Sequence, residues 1–183
     1  HDKESFTIWV KFKVSNAADD LNDAHVVIWT TTPWTIPSNK AVVYGQDIAY
    51  GLYEVTGTPE ESWTAVGDKF LLADNLAADV MKRARLEENQ WTRVRGVLAD
   101  ELADLTLSHP LAGAEGSNGE WDEARDFRAA EFVTNTEGTG FVHCAPSHGM
   151  DEYELYRDLN MLQQVITYNV MDDGGLRTDL PFF

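Results

Sequence analysis

Apolar and polar positions alternate at the start of the chain: Phe6, Ile8, Val10, Phe12 and Val14 interleave with Thr7, Trp9, Lys11 and Lys13. A period of two puts successive side chains on opposite faces of an extended backbone, which predicts a half-buried strand over residues 6–14. A polar turn follows at 16–23. Residues 25–29 are then almost wholly apolar, as expected for a strand covered on both faces. Further strands are predicted at 41–44 and 48–55, around Gly45-Gln46-Asp47, and at 70–73, 93–98 and 105–107, the last closed by His109-Pro110. Ala77, Val80, Met81 and Ala84 recur at i, i+3, i+4 and i+7, which predicts a helix over 75–88 with Asp74 as its N-cap.

The glycine-rich, acidic stretch 112–126 reads as a surface loop. Beyond it the pattern predicts a strand pair at 130–136 and 141–145 around Glu137-Gly138-Thr139-Gly140, a helix over 150–159 and a last strand at 164–169. Neither an internal repeat nor a low-complexity segment is present. Many short strands and two helices make the predicted class mainly β with flanking helices (α+β), arranged as a small closed β-barrel. At 183 residues, the length fits a single domain, 1–183.

Composition narrows the chemistry. Apolar residues make up 43% of the chain, enough for a core, and no apolar run of about 18 residues predicts a membrane span. His1-Asp2-Lys3-Glu4 is not the pattern of a signal peptide. The lone Cys144 precludes an internal disulfide and suits a reducing, cytoplasmic setting. One cysteine and five scattered histidines give no zinc-type spacing. Against 14 Lys+Arg stand 31 Asp+Glu, a net charge of −17. Such a chain repels polyanions, so any nucleic acid must be held elsewhere or touched only at one end. The basic spots Lys82-Arg83-Arg85 and Arg93-Arg95 do not reverse that balance.

Two clusters carry the candidate chemistry, each at a predicted strand end. In Thr30-Thr31-Thr32-Pro33-Trp34-Thr35-Ile36-Pro37-Ser38-Asn39, the prolines stop a ladder and remove two donors, leaving hydroxyls and polar backbone grouped together. Threonines are also simply good strand formers, Trp34 suits a core and Asn39 suits a turn. In Gly138-Thr139-Gly140-Phe141-Val142-His143-Cys144-Ala145-Pro146-Ser147-His148-Gly149-Met150-Asp151-Glu152-Tyr153, a glycine turn leads into a strand and then a helix. Alternation puts His143 and Cys144 on opposite faces, which argues against a Cys–His catalytic pair. Asp151 and Glu152 fall in the first helical turn, where acids favour the dipole, and only one of them can face a pocket. Ser147 lacks the Gly-x-Ser-x-Gly framing of a hydrolase elbow, and His143, His148 and Asp151 lack the helical spacing of a metal site. If the clusters meet, they form a hydroxyl-rich pocket with a histidine and an anion. It would hold a cationic ligand and place a water.

With Trp29 in front of the first, these two motifs resemble the editing domain of isoleucyl-tRNA synthetases, the connective-peptide insertion of the class I catalytic fold. Valyl and leucyl enzymes share the Thr-Thr and Gly-Thr-Gly elements. They usually have Arg-Pro at Thr32-Pro33 and an acid at Trp34, so Thr-Pro-Trp-Thr points to the isoleucyl branch. The resemblance extends over nearly the whole chain, through His109-Pro110-Leu111 to the closing Asp179-Leu180-Pro181-Phe182-Phe183.

The resemblance implies a β-barrel that hydrolyses misacylated Val-tRNA(Ile), with no metal, no cofactor of its own and no covalent intermediate. It implies that Thr30, Thr31 and Thr32 hold the terminal ribose and the water, that Trp34 and His143 bound the amino-acid pocket beside His148, and that Asn39 supports the threonine loop. The family's ammonium-binding aspartate stands where this chain has Glu152; Asp151 is the alternative. The implied partners are the 3′ end of tRNA(Ile) and the remainder of a parent synthetase. ATP would be used by the parent's catalytic domain, since neither a His-Ile-Gly-His-type nor a Lys-Met-Ser-Lys-Ser-type motif is found in this chain. The glutamate leaves a second expectation open: an insertion that positions tRNA with hydrolysis impaired.

Overall fold

The alternation along the first strand is realised as a shared interior. In the computed structural model, which describes residues 6–17, 19–115, 117 and 119–179, Phe12 and Val14 turn inward while Lys11 and Lys13 turn away. His1-Asp2-Lys3-Glu4 and residues 180–183 of the closing motif lie outside the described residues.

Among the described residues, nine strands form one mixed sheet. They are β1 (Ile8–Val14), β2 (His25–Thr30), β3 (Ala41–Tyr44), β4 (Tyr50–Val55), β5 (Lys69–Ala73), β6 (Trp91–Val97), β7 (Thr106–Ser108), β8 (Arg125–Ala129) and β9 (Phe141–Cys144). Their spatial order is β6-β4-β5-β2-β1-β7-β8-β3-β9, with β2/β5 and β3/β8 parallel and the other pairs antiparallel. Every strand sends a side chain into one cluster, among them Phe12, Ile28, Val42, Leu52, Leu71, Val97, Leu107, Phe127 and Phe141. The sheet is therefore rolled around a common interior.

It does not close into the expected barrel. Closure requires the two end strands to pair, and here β6 and β9 remain ends. β9 instead approaches β2, an interior strand that already has a partner on each side. Each strand has only two hydrogen-bonding edges. The pairing of β2 with β5 covers His25↔Phe70 and Val26↔Leu71, and beyond it the Ala73 N–H donates to the Thr139 carbonyl at 3.0 Å, just ahead of β9. Gly140, at φ +84°, is what permits this approach, because a Cβ there would collide with Ala73.

Among the described residues, four α-helices flank the sheet: α1 (Ala77–Arg83), α2 (Ala99–Ala103), α3 (Met150–Asp158) and α4 (Leu162–Val165). The predicted apolar face of α1 is buried on Val27, Tyr53, Phe70 and Leu72. This helix is shorter than expected, ending at Ala84 before Arg85 at φ +63°. Its N-cap is Leu76 rather than Asp74, whose carboxylate is taken by Arg93 (2.7 and 2.9 Å) and the Tyr53 hydroxyl (2.7 Å).

Two expected strands are absent. Residues 130–136 leave the sheet because β8 runs parallel to β3 only as far as Tyr44↔Ala129, so β3 rather than β8 is the neighbour of β9. Residues 162–165 are helical, and 166–169 run on without a ladder.

Candidate functional site

Alternation on β2 aims Thr30 inward, on the side of Val26 and Ile28. Thr32 then caps a 3-10 turn, Pro33–Ser38, with φ −128° and ψ 67°. Proline at the first position of such a turn forfeits no bond, since that N–H has no partner within the turn. The turn is held by Thr35 N–H on the Thr32 carbonyl and Asn39 N–H on the Ile36 carbonyl, both 3.0 Å. The Thr32 N–H donates to the Thr30 hydroxyl at 3.1 Å, and the two hydroxyl oxygens lie 3.3 Å apart. Thr31 and Thr32 are exposed at the strand end, whereas Thr30 is buried.

Alternation on β9 aims His143 to the same inner side as Phe141, with Cys144 facing out among Ala41, Val43 and Tyr156. The two predicted clusters therefore meet, and Thr35 joins them. Its hydroxyl donates to the Thr32 carbonyl at 2.9 Å and lies 2.9 Å from His143 Nε2. On the other side of the ring, Asn39 Nδ2 is 3.3 Å from Nδ1, and 2.7 Å from the Ala41 carbonyl. An amide NH₂ only donates, so Nδ1 accepts and the ring proton sits on Nε2, donated to Thr35. His143 is 8% exposed, and burial, helped by the charge of His148, lowers its pKa to about 4. It is a neutral ring with both nitrogens engaged. Asn39 Oδ1 is buried without a partner.

A second knot secures the far end of the turn. Ser38 Oγ is 3.2 Å from His148 Nε2 and accepts from Asn169 Nδ2 at 2.5 Å. The Trp34 ring, 50% exposed, meets His148 edge-on at 5.0 Å. Burial lowers the His148 pKa. The run 166–169 is thus a strap over the site, and Thr167 also bonds Ser147.

The carboxylates stand apart from this network. Asp151 lines a cleft of about 880 Å³ with Asp47, Glu131, Glu154 and Asp158, without the threonines. The Glu152 side chain folds back over Gly149, where a Cβ would overlap its carboxylate. Its pKa is raised, first by burial and then by the charge of Asp151. Burial, and then the charge of Glu152, push up the pKa of the Cys144 thiol, on the face away from His143. Among the described residues neither carboxylate bonds to the threonine loop, and no group of three or more His, Cys, Asp or Glu is placed to hold a metal ion.

Sequence reasoning passed over the roles of Thr35, Ser38 and Asn169. Thr35 was findable, because a 3-10 turn starting at Pro33 returns every third residue to one face, that of Thr32 and Thr35. Asn169 carries no local signal; only the tertiary fold brings it to Ser38.

No protein-family model matches the chain. Among proteins, it is similar over its whole length to the isoleucine–tRNA ligases of Ruegeria pomeroyi (74% identity over 183 residues) and Bartonella quintana (44% over 190 residues). It spans 19% of the length of each. Among solved structures, it resembles GlLeuRS-CP1, with a TM-score of 0.61 and 16% identity over 87% of this chain and 62% of that one. The editing domain of the P. knowlesi cytosolic leucyl-tRNA synthetase has a TM-score of 0.63 and 11% identity, over 86% of this chain and 64% of that one. The chain belongs to the isoleucyl-tRNA synthetase family, as a small part of a larger synthetase with the fold of the synthetase editing domains.

Proposed function

We propose that this chain performs post-transfer editing for its parent synthetase: hydrolysis of the ester of misacylated Val-tRNA(Ile) by a positioned water, without metal or covalent intermediate. The observation that carries this reading is the bonded set Thr30–Thr32–Thr35–His143–Asn39, which leaves the hydroxyls of Thr31 and Thr32 at the mouth of the site. An aminoacyl ester is already activated. It needs a water in line, a fixed carbonyl and donors toward the developing oxyanion. Threonine hydroxyls supply such donors and hold the terminal ribose. His143 has no free lone pair with which to take a proton from water, so its role is to wall the amino-acid pocket with Trp34 and His148.

The substrate ammonium goes to Glu152, whose carboxylate must swing off Gly149 to reach it, with Asp151 the alternative. Discrimination then rests on size. A methylene is worth about 1–3 kcal/mol in an apolar pocket, a general value for which isoleucyl enzymes are themselves a standard example, not a quantity taken from this chain. A site that admits valine and excludes isoleucine removes errors that binding alone leaves. The 3′ end of tRNA(Ile) and the remainder of the synthetase are the partners, and residues 1–183 act as one editing unit. The setting is cytoplasmic, and ATP is consumed only by the parent's catalytic domain.

The separation of both carboxylates from the threonines favours a second reading, a tRNA-positioning insertion with impaired hydrolysis. Binding distinguishes the two. On the editing reading a non-hydrolysable valyl-adenosine analogue raises the melting temperature and the isoleucyl analogue does not. No response to either supports the positioning insertion.

A further inference from the structure

The loop 112–126, polar in sequence, sends one large aromatic inward. Trp121 is 2% exposed and its indole N–H donates to the Pro37 carbonyl at 2.9 Å. His109, from the His-Pro-Leu turn and also 2% exposed, lies with Nε2 2.9 Å from the adjacent Ile36 carbonyl. His109 Nδ1 accepts the Leu111 N–H at 3.1 Å, which places the ring proton on Nε2 and makes that nitrogen a donor. The two rings stack with centroids 5.6 Å apart and planes inclined by 12°. Phe12 meets His109 edge-on at 6.1 Å.

Ile36 and Pro37 lie between the threonines and Asn39, in a turn where both prolines lack an N–H. Two consecutive carbonyls of the catalytic loop are therefore held from behind by donors more than seventy residues away in sequence. Both rings are buried, whereas Thr31 and Thr32 are exposed.

We propose that His109 and Trp121 are positioning residues of the editing site, a stacked clamp that fixes the 3-10 turn and through it the hydroxyls of Thr31 and Thr32. This rests on the editing reading. Releasing the clamp removes no group from the site but lets the loop shift. Misplacement of reacting groups by about 1 Å costs on the order of a hundredfold in rate.

The test is single-turnover hydrolysis of Val-tRNA(Ile) by the full-length parent, measured well below the unfolding transition. Trp121→Phe keeps the stack and removes the donor. His109→Gln keeps a donor, and His109→Leu does not. Val80→Ala, a core truncation on the buried face of α1, is the control for lost stability alone. The clamp predicts a rate reduced about ten- to a hundredfold for Trp121→Phe and His109→Leu. It further predicts an unchanged half-saturating tRNA concentration, a partial rescue in His109→Gln and a normal rate for Val80→Ala. Melting temperatures lowered as in Val80→Ala with rates unchanged would overturn the clamp while leaving editing intact. A wild-type parent that leaves Val-tRNA(Ile) unhydrolysed would overturn the editing reading and the clamp together.

Discussion

Thr35→Val isolates the bond that joins the two halves of the site. Valine has nearly the shape of threonine, so packing around this residue, 3% exposed, is preserved while a hydroxyl is lost. Three contacts disappear: the bond His143 donates at 2.9 Å, the one given to the Thr32 carbonyl at 2.9 Å and the long 3.5 Å contact with the Thr32 hydroxyl, which keeps its neighbour Thr30. That carbonyl keeps the Thr35 N–H at 3.0 Å. Only the His143 Nε2–H is orphaned, in a ring 8% exposed. A buried donor left unpaired costs about 1–3 kcal/mol, and the remaining exposure favours the lower half, about 1–2 kcal/mol. For a chain of this length that lowers Tm by about 2–8 °C. Urea and thermal unfolding of wild type and variant measure it. In the parent, the same change should slow deacylation by about tenfold or more, because Thr32 loses its tie to β9. A variant with unchanged midpoint and unchanged deacylation would refute the claim that this bond organises the site.

Other expectations are independent of that bond. Glu152→Gln should abolish deacylation while leaving the fold at least as stable at pH 7, since burial disfavours the charged carboxylate; retained activity would move the ammonium to Asp151. His143 and His109 have pKa values lowered to about 4 from 6.5 by burial, so the folded state favours their neutral forms. Their stabilisation is full above about pH 6.5 and lost as pH falls toward 4. Urea midpoints should decline across that window, and less so in His109→Gln. Gly140→Ala should destabilise by more than about 2 kcal/mol, through its left-handed backbone and the collision with Ala73, as urea unfolding will show.

What the sequence could show was local. Alternation located β1, apolar runs located β2 and β9, and helical spacing found the buried face of α1, because those signals come from which faces meet the core. The strand pair expected at 130–145 failed for a long-range reason. The turn at Gly138 and Gly140 is real, with φ of +79° and +84°, yet β3, some hundred residues earlier, lies between β8 and β9. The open edge is likewise invisible locally, since it depends on which interior strands β9 meets. In the site, Thr30–Asn39 and His143 converge as the motifs implied. The carboxylates do not join them, because the direction of Glu152 is set by its fold-back over Gly149, which residue types alone do not encode. Trp121 looked like part of a polar loop because its partners, Pro37 and His109, come from distant turns.

In the proposed function, these threonines place a water against a valyl ester. Single-turnover deacylation of Val-tRNA(Ile) and Ile-tRNA(Ile) by the full-length parent, with and without Thr32→Val, tests it most directly. Rapid loss of the valyl ester, a stable isoleucyl ester and a marked slowing of valyl hydrolysis in the variant are expected. Equal hydrolysis of both esters, or a Thr32→Val parent that edits at the wild-type rate, would contradict it.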